Sequence, residues 1–432
     1  MAVDETMVSA RPRQPVVHRT WTPARVAVAA AVVLGALAVR LTFFQYQSGD
    51  YTAYFGQWYQ FIDQHGHFAA LKYDFANYNV PYLYLLAILT YTPIPALYGI
   101  KLVSVVFDLL LAFFTCRIVA LRRPGTWWPL LAAALVLYLP TVVMNSSLWG
   151  QADAIYSAFA VGGVYFLLRR RPWLACLFFG LAFSFKLQVI FLFPVLLLLV
   201  LRRRVPWRAL LLIPGVYLVL DVPALLAGAN VHTLLTVYVD EANAYDQLTL
   251  NASNAYQFLG TVSDTTLFKG IGIALTGSLL VALILPVVGR RVEMTPTRIV
   301  LASAVSAVLV PFFLPAMHER YFYLADTLTV IAAFYLPKRL WALPVLEQFA
   351  SAFSYAPFLL QTAHAGNGPA DGGGFRGATP SGGGVGGGVG GGGVPTATLV
   401  SFPILSTAML AALVLVVWTA IQDFRRPTPV TG

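Results

Sequence analysis

The stretch VAVAAAVVLGALAVRLTFFQYQSGD, residues 26–50, decides the fold. Val26 to Phe44 is apolar over about the 20 residues needed to cross the roughly 30 Å hydrocarbon core of a bilayer. It then breaks into a polar segment that ends on an acid, Asp50. The run is longer than the apolar region of a signal peptide and carries no small-residue cleavage site, and Arg11, Arg13 and Arg19 precede it. It therefore reads as a retained first span with its N-terminus inside.

Blocks of the same kind recur along the chain. Of the 432 residues 58% are hydrophobic and only 11% charged, against roughly 25% charged in a soluble protein, so a soluble fold would lack a surface. Spans are expected at 26–45, 97–119, 126–143, 153–168, 173–187, 188–201, 208–224, 268–289, 299–315, 321–337, 341–360 and 397–420. The expected fold is an all-α polytopic membrane protein with about twelve transmembrane helices and a long first extracytoplasmic loop. The break near residue 187 leaves eleven spans, or one tilted pair, as the alternative. The expected units are a cytoplasmic tail (1–25), a transmembrane domain (26–360), a glycine-rich extracytoplasmic loop (361–396), and a last helix with its cytoplasmic tail (397–432).

The formal charge of +10 would elsewhere point to nucleic acid. Here the basic residues cluster between spans, at Arg122 and Arg123, Arg169–Arg171, Arg202–Arg204, Arg290 and Arg291, Lys338 and Arg339, and Arg425 and Arg426. That is the positive-inside pattern, and no nucleic-acid partner is expected. Two outer connections are long. Residues 46–96 hold Asp50, Asp63 and Asp74 among many aromatics, and 225–267 hold Asp240, Glu241, Asp246 and Asp264, so chemistry is expected on the outer face. Pro81 to Tyr91 is too short to span; it reads as a helix in the interface with its tyrosines at headgroup level, or as a re-entrant segment. The glycine-rich tract 366–394 reads as a flexible link. Cys116 and Cys176 lie in apolar segments without metal or disulfide spacing.

A few polar residues stand out. Lys101 and Asp108, seven apart, share one helix face. Asp50, beside Tyr51, Tyr54 and Trp58, is either a base for a hydroxyl nucleophile with aromatics flanking a sugar ring, or a solvated loop acid. Gln151 and Asp153 open the fourth span, as a helix cap or as the wall of a polar cavity. Lys186 and Gln188 sit at an outer turn, where a lysine goes against the positive-inside pattern and calls for an anion such as a phosphate. In PAMHERYFYLAD, Arg320 can fork two donors onto a phosphate, His318 can add a hydrogen bond or stabilise a leaving group, and Glu319 lies between them. HER is not H-E-x-x-H, and Asp63, His65 and His67 make at best a weak site, so no metal is expected. Asn251-Ala-Ser253 matches a glycosylation acceptor.

The blocks SGDYTAYFGQWYQFIDQHGHFAALKYDFANYNVPYLYLL, SLWGQADAIYSAF, FGLAFSFKLQVIFLFP and MHERYFYLAD together resemble the bacterial branch of the GPI18-type mannosyltransferases, polyprenyl-phosphate-dependent membrane enzymes of the GT-C superfamily. The resemblance covers about residues 20 to 345. It implies a GT-C-like bundle in the cell inner membrane that transfers a sugar, mannose in the family, from a polyprenyl-phosphate donor to a glycan, lipid or protein acceptor on the extracytoplasmic face, without a cofactor or divalent ion. It also implies that Asp50 is the base. Arg320, Lys186 and His318 are then expected at the donor phosphate, and Tyr51, Trp58, Asn77, Tyr78, Gln151, Asp153, Gln188 and Glu319 around the cavity or the acceptor. NYNVPY, Asn77 to Tyr82, departs from the family's usual pattern there. A transporter or flippase of lipid-linked sugars is the alternative; it would be built of two related halves, and no clear internal repeat is visible. A third reading is an oligosaccharyl or phospho-group transferase on a similar scaffold.

Overall fold

A computed structural model describes residues 22–260, 262–361 and 399–426. The basic tail before residue 22 and the glycine-rich tract lie outside the described residues. Thr22 starts the first helix, α1 (Pro23–Leu41), by accepting from the Arg25 amide, with proline at the first helical position. The long first loop holds α2 (Gly56–Gln64) and α3 (Val80–Leu89), and α4 (Ala96–Arg122) follows. Lys101, Ser104, Asp108, Leu111, Thr115 and Ile118 recur on α4 at steps of three and four and are all buried. Leu102, Val106 and Phe113 of the same helix are exposed. Polar groups inside and apolar groups outside are what a helix facing hydrocarbon requires.

Next come α5 (Trp128–Tyr138), the short α6 (Pro140–Val143) and a π-helical turn at Met144–Trp149, then α7 (Asp153–Leu168), α8 (Pro172–Phe185) and α9 (Phe193–Leu201). They are followed by α10 (Leu212–Ala227), α11 (Val231–Asn243), α12 (Thr265–Gly289) and α13 (Pro296–Phe313). The described chain ends with α14 (Tyr323–Tyr335), α15 (Pro337–Leu340), α16 (Leu343–Gln361) and α17 (Phe402–Phe424). Two two-residue strands, β1 (Thr249–Leu250) and β2 (Met317–His318), pair in parallel and fasten the second long loop to the segment that carries His318 and Arg320.

A helix lies at each of the twelve expected positions, but not every one has the length of a span. Among the described residues six helices are long and apolar enough to cross a membrane, or seven if the pair bent by 53° at Leu139 counts as one. At 1.5 Å per residue α7 and α8 reach only ~24 and ~21 Å, short of the hydrocarbon core. The reason lies in their place. α7 packs between α4 and α8 and fourteen of its sixteen residues are buried, so its apolarity serves protein packing. Gly162 and Gly163 allow this approach, since a Cβ at Gly162 would stand 2.5 Å from the Phe178 ring and one at Gly163 2.9 Å from the Phe179 ring.

Connections gather at two ends. At one, Arg202 donates to the Val292 carbonyl (3.0 Å), Arg204 to the Met294 carbonyl (2.9 Å), and Arg298 bonds Asp423. At the other, the segments around Asp50, Gln151, Lys186, Glu241 and Arg320 meet. The first loop is folded rather than open. Phe55, Trp58, Tyr82, Leu83 and Leu86 form a second apolar core, and Tyr82 of α3 is 2% exposed. α3 packs against α2, α4, α8 and α10, which buries Tyr82, while Tyr91 just beyond its end is exposed.

Candidate functional site

The site begins with the anchoring of the chain that leaves α1. Arg40, 1% exposed, places Nε and Nη2 each 2.9 Å from Asp108 Oδ2, and Tyr323 donates to Asp108 Oδ1 at 3.2 Å. The Lys101 ammonium donates to the carbonyls of Phe43 (2.9 Å), Phe44 (3.2 Å) and Tyr46 (2.5 Å). Lys101 and Asp108 do share a face, and what that face does is hold α1 and its exit segment. Past it, Ser48 Oγ donates to the Trp149 carbonyl at 2.6 Å and accepts from the Tyr51 amide at 3.1 Å.

Asp50 and Gln151 are thus brought together. Both lie beside π-helical turns, Tyr51–Phe55 and Met144–Trp149, a rare backbone form that collects at functional sites. Gly150 reverses the chain at φ 76°, where a side chain would be strained. Ser104 Oγ donates to the Gln151 carbonyl at 2.6 Å. The Gln151 amide donates to Asp50 Oδ2, and its oxygen accepts from Tyr78 at 3.4 Å, which orients the amide. Burial pushes the Tyr78 phenol well above its ordinary range, so the hydroxyl stays a donor.

Arg320 joins them. Its Nη1 stands 4.0 Å from Asp50 Oδ2 and donates to Glu319 Oε1 at 3.0 Å, and its Nε lies 3.9 Å from Asp153 Oδ2. The guanidinium sits over the Trp149 ring at 5.6 Å. Burial opposes its charge, but Glu319, Asp50 and Asp153 outweigh that and hold its pKa well above the ordinary arginine value. Asp50 is the accessible acid of the group, with 29% of its side chain exposed, against 0% for Asp153 and 2% for Glu319.

Several expected roles change. Asp153, at the start of α7, is buried, 2.5 Å from Lys186 Nζ and 2.8 Å from the Asn145 amide. The anion that Lys186 called for is therefore Asp153, within the chain itself. Glu319 is buried between His318 and Arg320; burial alone would raise its pKa, but His318 and Arg320 together hold it below the ordinary carboxylate value. His318 lies edge-on to Tyr245 (5.0 Å) and Tyr321 (5.1 Å), 3.8 Å from Glu319.

Trp58, 3% exposed, packs against Tyr78 with the ring centroids 5.3 Å apart. Tyr51 folds over Gly56. Asn77 is exposed, and its neighbour Asn79 is the structural residue of the pair, capping α3 and donating to the Ser184 carbonyl at 2.8 Å. Gln188 is buried with its side-chain oxygen lacking a hydrogen-bond partner. Asn145, Trp149 and Tyr245 were missed because uncharged residues next to apolar runs carry no pattern of their own. Asn251-Ala-Ser253 is not an open acceptor, since Ser253 is buried and donates to the Ala350 carbonyl. Among the described residues no three His, Cys, Asp or Glu side chains converge as a metal site.

Comparison with known proteins finds no protein-family model that matches this chain and no matching curated protein.

Proposed function

We propose that the protein is a membrane glycosyltransferase of the GT-C kind, moving a sugar, mannose as the first candidate, from a polyprenyl-phosphate donor to an acceptor hydroxyl at the extracytoplasmic face of the cell inner membrane. The observation that carries this reading is the pairing at Asp50. Of the three carboxylates within 4.0 Å of the Arg320 guanidinium among the described residues, Asp50 is the solvent-reachable one, and it is oriented by Gln151. A base beside a cation is what transfer from a phosphate leaving group requires.

In this reading Asp50 takes the proton of the acceptor hydroxyl, the hydroxyl oxygen bonds to the anomeric carbon from the side opposite the phosphate, and the carbon–oxygen bond to phosphate breaks with its electron pair on the phosphate. Arg320 receives that charge. One hydrogen bond of its five-donor fork goes to Glu319, which leaves donors for an incoming oxyanion. Lys186 is reassigned: as the partner of buried Asp153 it balances charge and holds α7 to the end of α8 without meeting the donor. The meeting of Asp50, Gln151, Lys186, Glu241 and Arg320 at one end of the bundle, with Arg202, Arg204 and Arg298 engaged at the other, supports placing these two sets of residues on opposite sides of the membrane.

The test is incubation of the purified protein, reconstituted into sealed vesicles, with radiolabelled polyprenyl-phosphate mannose and candidate acceptors. Release of polyprenyl phosphate together with a sugar adduct on an acceptor supports transfer. Passage of intact donor lipid across vesicles, with no release under any acceptor, overturns it in favour of a flippase.

A further inference from the structure

At the arginine-rich end, across the 18 residues of α13 from the His318–Arg320 segment, roughly 27 Å of helix, a groove of about 670 Å³ runs between α9, α12, α13 and α17. That volume falls within the roughly 300–1,000 Å³ of sites that enclose a small ligand. Leu198, Leu283, Ile284 and Val417 form its apolar walls, and Arg290, Arg291, Arg425 and Arg426 stand at its mouth.

The mouth is built, not merely charged. Arg298, 3% exposed, donates to the Glu293 carbonyl (2.8 Å), the Asp423 carbonyl (2.9 Å) and the Arg426 carbonyl (2.6 Å), which locks the start of α13 to the end of α17. Arg202 and Arg204 hold the 290–294 turn from the other side. Among the described residues the guanidinium groups of Arg290, Arg291 and Arg425 have no hydrogen bond or ion pair with the protein. Of the two acids nearby, Asp423 is engaged by Arg298, so the free charge at the mouth is strongly positive.

We propose that this groove is a binding site for an anionic glycerophospholipid, with an acyl chain lying between α12 and α17 and the phosphate held by Arg290 and Arg425. Charge complementarity identifies the occupant. An apolar groove lined at one end by unpaired, planar phosphate-binding groups matches a lipid carrying both parts, whereas a soluble anion would leave the apolar walls unused. Scattered arginines meet anionic headgroups in any bilayer; here Arg290 and Arg425 line the same groove as the apolar residues, and Arg298 fixes its α13 and α17 walls to each other.

The experiment uses the full-length protein, stripped of lipid in detergent and titrated by native mass spectrometry with phosphatidylglycerol, with phosphatidylcholine, and with inorganic phosphate as a competitor. Saturable phosphatidylglycerol binding is expected, at least about tenfold tighter than phosphatidylcholine, and Arg290→Gln/Arg425→Gln should weaken it about tenfold. The control pair Arg122→Gln/Arg123→Gln, away from the groove, should change it less than about twofold. Leu283→Trp, which fills the apolar channel and keeps every arginine, should weaken it as well, and it carries the test if the arginine pair fails to fold. Equal losses in the control pair, equal binding of the two lipids, displacement by inorganic phosphate at matching concentration, or unaltered binding in Leu283→Trp would each overturn the proposal.

Discussion

The side-chain amide of Gln151 donates to the Asp50 carboxylate across 101 residues of chain, so the acid that follows α1 is aimed by the turn that precedes α7. If Asp50 is the base, Asp50→Asn keeps the size and one acceptor oxygen but removes the proton-accepting charge. Turnover should fall by ~10²-fold or more, the usual scale for a positioned acid or base, while donor binding largely survives. Gln151→Ala should cost less, because it loosens the aim of Asp50 and leaves its charge. Single-turnover transfer measured beside donor binding in the same preparation checks both. A folded Asp50→Asn protein working near the wild-type rate would remove Asp50 from the chemistry.

Lys186 and Asp153 make a buried pair with side chains 5% and 0% exposed. Removing Asp153 strands Lys186, and removing Lys186 leaves Asp153 with its longer contact to Arg320, at a cost of up to about 3–5 kcal/mol. Asp153→Asn and Lys186→Met should each lower thermal stability strongly, while the double variant, with no unpaired charge left, should recover much of the loss. Melting of all four proteins in one detergent checks this. A double variant as unstable as the sum of the singles would mean that the two side chains do not act as a pair.

Helix positions were legible in the sequence because apolar runs and their breaks are strong local signals; α7 lies at 153–168 as expected. Crossing the membrane was not legible from the same runs, since a helix buried by protein and a helix buried by lipid are equally apolar, and the short α7 is of the first kind. The alternation of loops did foretell that Asp50, Gln151, Lys186 and Arg320 meet. What it hid was pairing. A charged residue at an outer turn reads alike whether it awaits a ligand or already has a partner, and Lys186 proved to have Asp153. Arg40 went unread for the same reason, as one cation inside an apolar run whose partner, Asp108, lies 68 residues on.

Glu319 gives a pH prediction with a definite sign. His318 and Arg320 hold its folded-state pKa below the 4.5 of an ordinary glutamate. The ionised form therefore contributes stability that is fully present above about pH 4.5 and is lost as pH falls through the lower folded-state value. Thermal melting between neutral pH and pH 3 should show the wild type losing stability on acidification, and Glu319→Gln, less stable at neutral pH, should lose less over that limb. Parallel acid limbs in the two proteins would show that this pairing does not contribute to acid sensitivity.

Arg320 remains the expected contact for the donor phosphate. Its guanidinium lies between Asp50 and Glu319 with the Trp149 ring at 5.6 Å and the Tyr321 ring at 6.0 Å. Arg320→Lys keeps a positive charge near Asp50 and Glu319, so the cluster stays balanced and the fold should hold. It loses the planar fork and the stacking on Trp149. Hydrogen bonds to charged groups are worth about 1.5–3 kcal/mol, so the donor KM should rise about tenfold or more in Arg320→Lys while the KM for the acceptor changes little. Arg320→Ala should do more harm and also destabilise the protein, because Asp50, Asp153 and Glu319 are left without their shared cation. The lysine variant is thus the discriminating one. Steady-state kinetics with each substrate varied in turn, and direct binding of polyprenyl phosphate, separate a phosphate contact from a purely structural cation. Unchanged donor affinity in a folded Arg320→Lys protein would assign Arg320 to holding the acids in place and send the search for the phosphate contact to His318, whose ring lies on the adjoining strand β2.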